Sequence, residues 1–183
     1  MNIKNVEFKA KVSETKSLEE KLQTKSPLYK GLDHQIDTYF NAAKGRLKLR
    51  EGNIENALIQ YDRKNTANSK LSEIVLYKHK ADKALKDILS HQLGIKVVVD
   101  KKRKIYFIDN VKFHFDEVDQ LGAFIEVEAI DETGKLTKEY LKEQCDYWFK
   151  FFDLKPEQLM KESYSDMMIN QLTGNDLQIT IDK

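Results

Sequence analysis

The segment Asn5-Val6-Glu7-Phe8-Lys9-Ala10-Lys11-Val12 alternates between polar and apolar residues. At a period of two, Val6, Phe8, Ala10 and Val12 share one face, and Asn5, Glu7, Lys9 and Lys11 share the other. The apolar face suits a protein core. The polar face alternates an acid with bases, which suits a metal ion beside an anionic ligand. The pattern predicts a β-strand with one face for the core and one for a site.

Similar alternation recurs along the chain. The predicted strands are 3–12, 35–40, 46–51, 57–63, 72–79, 95–99, 101–108, 111–116 and 123–130. On single strand faces the pattern groups Arg46 with Lys48 and Arg50, Lys101 with Arg103, Lys112 with His114 and Asp116, and Glu126 with Glu128. For any one strand, a solvated face explains the alternation without a ligand, because antiparallel sheets commonly leave one face in water.

Helices are predicted between these strands. Ser17 and Glu20 form a capping-box pattern, and Asp82 can cap a second helix that ends at Gly94. A third helix starts near Thr137, and Pro156 can open a short fourth one. Asp109-Asn110 is typical of a tight hairpin turn. The fold class is therefore α+β, with a mostly antiparallel sheet whose eight or nine strands suffice to close a barrel, with helices packed outside.

Composition excludes several classes of function. The 183 residues favour one domain. The 31 basic and 30 acidic residues leave a net charge of +1, which gives no long-range attraction to nucleic acid or membrane. Cys145 is the only cysteine, so no internal disulfide can form, and a small core residue is the expected role of this thiol. The chain has no apolar signal core or membrane-length apolar run, so we expect a soluble, cytoplasmic protein.

The charged faces gain meaning if the sheet closes. In an open sheet they are plain solvent surface, whereas in a barrel they become the lumen. Buried charges must then be paired, bound to metal or neutralised by a ligand. A lumen rich in lysine and arginine with a few carboxylates has the chemistry that a metal-bound polyphosphate requires. The basic run 101–104 alone is a weak sign of nucleic-acid binding, because alternation splits it between two faces.

Six stretches together resemble the CYTH-domain proteins of the triphosphate tunnel metalloenzyme superfamily, and within it the class IV adenylyl cyclase-like branch. These stretches are 5–9, 35–40, 45–51, 101–107, 122–128 and 163–168, and the tail from Leu172 to Lys183 falls outside the resemblance. The chain is therefore expected to hold a tunnel domain over residues 1–171 and a C-terminal tail over 172–183. The first family motif, Glu-x-Glu-x-Lys, is similar to Asn5-Val6-Glu7-Phe8-Lys9.

The resemblance implies a closed eight-stranded barrel that acts on a triphosphate such as ATP with Mg²⁺ or Mn²⁺. It implies metal ligands at Glu7, Glu126 and Glu128, with Asp116 a further candidate. It implies phosphate-binding residues at Lys9, Lys11, Arg46, Lys48, Arg50, Arg63, Lys101 and Arg103, of which Lys9, Arg50 and Arg103 are the expected catalytic residues. Relatives often dimerise, so a homodimer is a further expectation.

Asn5 stands where the family motif has its first glutamate, and this departure lowers the expected metal affinity. Three functions share the predicted site. Cyclisation of ATP to cAMP and pyrophosphate is the first and favoured reaction, and hydrolysis of inorganic, thiamine or nucleoside triphosphate is the second. The third is binding of a polyphosphate without turnover, which Asn5 favours. The plain alternative is an α+β protein whose charged strand faces bind nothing.

Overall fold

Eight antiparallel strands form one sheet in a computed structural model that describes residues 4–62, 73–80 and 82–181. The strands are β1 (Lys4–Val12), β2 (Leu28–Phe40), β3 (Arg46–Glu51), β4 (Ala57–Asp62), β5 (Glu73–Lys78), β6 (Ile95–Ile108), β7 (Val111–Val118) and β8 (Gly122–Asp131). Their order across the sheet is β1-β8-β7-β6-β2-β3-β4-β5. The α+β class is confirmed.

The predicted strands differ from the observed ones mainly in length. The segments 95–99 and 101–108 form the single strand β6, and β2 begins at Leu28 rather than at residue 35. Two register shifts, at Tyr29/Gly31 and at Tyr39/Phe40, interrupt the pairing of β2 with β6. The predicted turn at Asp109-Asn110 is confirmed, with Asp109 in the left-handed region at a φ of 49°.

The prediction of a closed barrel is wrong. The sheet is an open half-barrel whose edges are β1 and β5, and these strands do not pair within the described residues. Strand number alone does not close a sheet, because the edges must also meet with a compatible stagger. Alternation in a sequence carries no information about that stagger.

Four α-helices and one short 3₁₀ helix accompany the sheet. They are α1 (Lys16–Gln23), α2 (Lys83–Leu93), α3 (Lys138–Phe151), α4 (Tyr164–Ile181) and the 3₁₀ turn Pro156–Gln158. The Asp82 carboxylate caps α2 as predicted, and Gly94 ends that helix at a φ of 70°. The predicted capping box of α1 is wrong, because Ser17 bonds the Glu14 carboxylate. No helix of the described residues is long and apolar enough to cross a membrane.

The main core lies on the convex face of the sheet, where α3 packs against β1 and β8. Val6 and Ala10 of β1 are buried there, as the alternation predicts. Phe113 stacks edge-on against Trp148 of α3 with ring centroids 4.7 Å apart. Cys145 is buried among them and donates to the Val6 carbonyl, and burial raises the pKa of its thiol to about 11. This cysteine is a core residue rather than a nucleophile.

A second core covers one end of the concave face, where α4 packs against β6. Tyr164 and Met168 of α4 lie against Tyr39, Val99 and Phe124. The prediction that helices pack only outside the sheet therefore needs correction, since α4 fills part of the concave side. The rest of that side stays open and carries the charged residues.

The N-cap of α3 gives a test of this packing. Thr137 accepts a hydrogen bond from the Tyr140 backbone amide at 3.2 Å, and the helix below it buries Leu141, Cys145 and Trp148. We expect Thr137→Ala to lower the free energy of unfolding by about 1 kcal/mol. Thr137→Ser keeps the hydroxyl and should stay close to wild type. Denaturant unfolding measures both, and equal losses in the two variants would contradict the capping role.

Candidate functional site

The concave face of the half-barrel encloses a cavity of about 550 Å³. Its walls come from the polar faces of the strands and from the first residues of α4. Seven basic and five acidic side chains line it, which leaves a local excess of two positive charges if all are ionised. The basic residues are Lys9, Lys48, Arg50, Lys78, Lys101, Arg103 and Lys112, and the acidic residues are Glu7, Asp37, Glu55, Glu126 and Glu128. The charges are thus sorted in space although the whole chain is nearly neutral.

Most of the residues predicted for the site meet in this cavity. Glu7, Lys9, Lys48, Arg50, Lys101, Arg103, Glu126 and Glu128 all line it, and Asn5 lies at its wall. Three others have different surroundings. Lys11 is exposed above the Phe124 ring, Arg46 binds Asp166 and Ser163 of the α4 region, and Asp116 is buried behind the cavity. Arg63 lies outside the described residues.

Asp37 of β2 collects three cations at one side of the cavity. Its Oδ2 atom accepts from Lys48 Nζ and Lys101 Nζ, both at 2.8 Å. Arg50 donates to both oxygens, at 2.8 and 3.0 Å. Burial opposes the charge of Asp37, but Arg50, Lys101 and Lys48 hold the pKa of its carboxyl well below its usual range. Asp37 therefore fixes these three side chains in one place as an ionised carboxylate.

Lys101 carries the electrostatic cost of this crowding. It is 2% exposed, and burial lowers its pKa to about 7 although Asp37 opposes that change. The neighbouring Arg50 and Arg103 guanidiniums lower it further. A side chain that releases its proton near neutral pH is one whose charge a bound anion can restore.

Glu55 plays the same part for a second pair of cations. It lies between β3 and β4, and its carboxylate accepts from Arg50 Nη1 at 2.9 Å and from Lys112 Nζ at 2.8 Å. Despite partial burial, Lys112 and Arg50 hold the pKa of Glu55 well below its usual range. The carboxylate links the cation of β7 to the cluster on β2 and β3.

Arg103 is fixed by a buried partner behind the cavity. Its Nε and Nη2 atoms donate to the two oxygens of Asp116 at 2.7 and 2.6 Å. The Tyr164 hydroxyl of α4 donates to the same carboxylate at 2.7 Å. Lys9 lies 4.0 Å above the Tyr164 ring. Asp116 thus orients the Arg103 guanidinium, and its role as a metal ligand remains a prediction.

The wall formed by β1, β8 and β7 brings carboxylates beside a buried histidine. Strand register places Glu126 between Lys9 and His114, and Glu128 between Glu7 and Lys112. Glu126 lies 3.7 Å from Lys9 Nζ and 3.6 Å from Arg103 Nη2. Burial, Glu126 and Glu7 raise the pKa of Glu128 well above its usual range. This wall concentrates negative charge that a bound cation would relieve.

His114 stands at the centre of that wall. Its Nδ1 atom is 3.8 Å from Glu126 Oε1 and equally far from Glu128 Oε1, too long for hydrogen bonds. Within the described part of the chain neither ring nitrogen has a hydrogen-bond partner, and the side chain is 1% exposed. Burial and Arg103 lower the pKa of His114 to about 4, so the ring is neutral at pH 7.

The donors of this wall fit a divalent cation. One donor atom each from His114, Glu126 and Glu128 lies within 4.8 Å of the others. Ligand bonds of about 2.0–2.6 Å can span such a set. The imidazole without a described partner and the raised pKa of Glu128 both indicate an environment suited to a positive ion. The roles of Glu7, Glu126 and Glu128 as metal ligands stay predictions, but the residues present suit the group.

Several residues of the site were absent from the predicted site residues. Alternation grouped Lys112 and His114 on one strand face with Asp116 but gave them no role, and Asp37 lies on β2, where no site residue was predicted. Glu55 lies between strands, where alternation gives no signal, and Tyr164 reaches the site only because α4 covers one end of the sheet. Residues that enter from loops and helices need the tertiary structure.

Comparison with solved structures agrees with this architecture. The PH1012 protein of Pyrococcus horikoshii superposes with a TM-score of 0.76 at 20% identity, covering 89% of this chain and 98% of that one. A candidate adenylate cyclase from Vibrio parahaemolyticus gives 0.67 at 16% identity, with 90% and 97% covered. A Hippeastrum protein studied as an adenylyl cyclase, with a dominant triphosphatase activity, gives 0.61 at 14% identity, with 94% and 96% covered. At these low sequence identities, the TM-scores show a shared fold.

The family is established by sequence. No curated protein matches the chain. The sequence model of the CYTH domain matches residues 4–156, which cover β1 to β8 and α3. Members of this family are adenylate cyclase-like or triphosphatase enzymes that depend on a metal ion. With the cavity and the sheet topology described above, this match shows that the chain belongs to the CYTH domain family.

Proposed function

We propose that this protein is a metal-dependent triphosphatase that hydrolyses a triphosphate held in the half-barrel cavity. The observation that carries the proposal is that a cluster of cations and a cluster of carboxylates with a histidine line the same cavity. Cations fixed by Asp37, Glu55 and Asp116 lie beside the wall of Glu126, Glu128 and His114, and Arg103 Nη2 is 3.6 Å from Glu126. Arginine and lysine bind phosphate oxygens, and carboxylates bind the metal that phosphates need.

The charge balance of the cavity supports a metal-bound substrate. Its excess of two positive charges is smaller than the negative charge of a triphosphate. A divalent cation on the acidic wall would make up the difference and would stabilise charge that develops on the phosphates. The fixed cations Lys9, Arg50 and Arg103 would orient the chain of phosphates, since their side chains are already held by acidic partners.

Hydrolysis is favoured over cyclisation by the open side of the half-barrel. Cyclisation requires the ribose hydroxyl, rather than water, to reach the α-phosphorus. No described strand pairs with the outer side of β5, and its Val75, Leu76 and Tyr77 side chains are exposed. Water can therefore enter the cavity and attack a phosphorus, with the shortened phosphate chain as leaving group.

Cyclisation of ATP stays the second candidate because of an apolar section of the same cavity. Ile54, Ile59 and Leu76 line it together with Tyr61, next to Lys48 and Arg50. Such a surface can take a nucleoside whose phosphates reach the cations. The substrate would then be a nucleoside triphosphate rather than the inorganic anion.

The products distinguish these reactions. Purified protein is incubated with ATP, thiamine triphosphate or inorganic triphosphate, each with Mg²⁺ or Mn²⁺, and phosphate, pyrophosphate and cAMP are measured. Release of phosphate without cAMP supports the proposal. Formation of cAMP with pyrophosphate would identify the cyclase instead. Tight metal-dependent binding without either product would identify a binding protein, and Asn5→Glu would then show whether the missing motif carboxylate is the cause.

The low pKa of Lys101 predicts how binding depends on pH. In the free protein Lys101 loses its proton near pH 7, while in a triphosphate complex the anion favours the charged form. Binding therefore takes up a proton above pH 7, and affinity should fall by up to about tenfold per pH unit between pH 7 and 9. Calorimetry at pH 8 in buffers of different ionisation enthalpy measures that proton uptake. Lys101→Gln should bind more weakly, with a flatter pH profile, and no uptake by wild type would refute this role.

A further inference from the structure

We propose that His114 is a direct metal ligand, and that the imidazole makes this site prefer Mn²⁺ and Co²⁺ over Mg²⁺. The inference rests on the proposed function, because it concerns the metal of the same cavity. It begins from a side chain that protein contacts leave unexplained. His114 is almost fully buried, and neither Nδ1 nor Nε2 has a hydrogen-bond partner among the described residues. An unpaired buried polar group is costly unless something in the functional state binds it.

The position of His114 identifies what would bind it. Its Nδ1 atom faces two carboxylate oxygens at 3.8 Å each, and the ring lies at the wall of the cavity. At that distance a hydrogen bond is not formed, yet a cation can contact the nitrogen and both oxygens together. The antiparallel register fixes this arrangement, because His114 of β7 is directly opposite Glu126 of β8.

The surroundings exclude a simple ion pair as the purpose of this arrangement. Glu126 already has Lys9 at 3.7 Å and Arg103 at 3.6 Å. Glu126 thus already has two cationic partners, so His114 is not needed as a third, and its ring nitrogen is available as a metal ligand.

The donor set indicates which metals are favoured. Carboxylates bind Mg²⁺ and Mn²⁺ alike. An imidazole nitrogen adds affinity for transition-metal ions such as Mn²⁺ and Co²⁺ but contributes little to Mg²⁺. Asn5 stands at the same wall with an amide in place of a charge. His114 would offset part of this loss by supplying a nitrogen ligand. The site would then keep useful affinity for Mn²⁺ and Co²⁺ with fewer carboxylates.

The test uses the full chain with metal alone. Mn²⁺ is added to wild type and to His114→Gln without triphosphate, and pulsed electron paramagnetic resonance records nitrogen coupling to the ion. We expect a histidine nitrogen coupling in wild type and none in the variant. Calorimetry should show that His114→Gln loses at least about tenfold in Co²⁺ affinity, which is the size of effect typical of changes around a metal site. The change in Mg²⁺ affinity should be much smaller. His34→Gln is the matched control, because His34 is exposed and bonds Asp100.

Three results would overturn the inference. The first is bound Mn²⁺ without nitrogen coupling in wild type, and the second is a lack of Mn²⁺ and Co²⁺ binding in the absence of triphosphate. The third is an equal loss of Co²⁺ and Mg²⁺ affinity in His114→Gln. The wild-type spectrum decides the first point even if the variant does not fold. Turnover of triphosphate by wild type is measured separately. Turnover without nitrogen coupling would contradict only the assignment of His114 as a ligand. Nitrogen coupling without turnover would contradict only the proposed function.

Discussion

Replacing Glu126 by glutamine is expected to lower the rate of triphosphate hydrolysis by about a thousandfold. Glu126 is the residue at which the two clusters of the cavity meet. Its carboxylate lies within 4 Å of Lys9, Arg103 and His114. Glutamine keeps the size of the side chain but removes the charge that would bind a metal beside the phosphates. Loss of one well-placed electrostatic group at an active site costs about 10²–10³-fold in rate, and loss of metal would add to that cost.

The effect should appear mainly in kcat at saturating Mn²⁺ and substrate, because the cations around Asp37 still bind phosphate in the variant. Steady-state phosphate release measures kcat and KM separately. Glu117→Gln is the matched control, since Glu117 lies on β7 but is exposed on the other face. A Glu126→Gln rate close to that of Glu117→Gln would show that chemistry takes place elsewhere.

Strand alternation predicted the faces of the sheet with few errors. Asn5, Glu7 and Lys9 of β1 line the cavity with Glu126 and Glu128 of β8, and their apolar neighbours pack under α3. A period of two is a local property, so a single sequence reveals it. Glu7, Lys9, Glu126 and Glu128 could therefore be grouped before the structure was known. Strand pairing then adds which of them are neighbours, such as Lys9 beside Glu126.

Closure of the sheet could not be predicted in this way. It depends on where β1 and β5 lie at the two edges, and on the irregular pairing of β2 with β6. These are non-local properties that leave no periodic signal in the residues. The resemblance to the CYTH family supplied a closed barrel as the expectation, and the structure has an open half-barrel instead. The open side of the half-barrel at the β5 edge is the reason that we propose hydrolysis rather than cyclisation.

The sequence also predicted which residues are charged without predicting how they pair. The sequence grouped Lys48, Arg50 and Lys101 as phosphate-binding residues but did not identify their shared partner, Asp37. A strongly cationic lumen was expected, whereas the cavity holds nearly as many acids as bases. The acidic partners lower the cost of keeping these cations buried when no substrate is bound. They also hold the side chains where phosphate oxygens would need them.

The pairing makes Asp37→Asn the variant with the largest expected loss of stability. Asp37 is 2% exposed and bonds Lys48, Arg50 and Lys101. Asparagine keeps the shape but leaves Lys48 and Lys101 without their counter-charge and leaves Arg50 with Glu55 alone. Removing one member of a buried ion cluster costs about 3–5 kcal/mol. Denaturant unfolding at pH 7 measures the loss. Asp100→Asn is the control, because the Asp100 side chain is about half exposed and bonds the His34 ring at the surface.

The same variant should depend differently on pH. Burial raises the pKa of Asp37, but Arg50, Lys101 and Lys48 hold it well below its usual range. A carboxyl with a lowered folded-state pKa contributes stability above its unfolded pKa near 4, and that contribution is lost as pH falls through the folded value. The stability difference between wild type and Asp37→Asn should therefore be full at pH 5–7 and narrow at more acidic pH. A difference that stays constant on acidification would mean that the charge of Asp37 is not its cause.

Inorganic triphosphate should partly rescue Asp37→Asn if these cations bind phosphate. Its oxygens can supply the negative charge that the variant lacks, so the ligand should raise the thermal midpoint of the variant more than that of wild type. Wild type already satisfies Lys48 and Lys101 through Asp37, and therefore gains less from the anion. Sulfate at equal ionic strength controls for screening. A rescue by triphosphate in the absence of metal would show that the cation cluster recognises phosphates on its own, whereas equal shifts in both proteins would place phosphate binding away from Asp37.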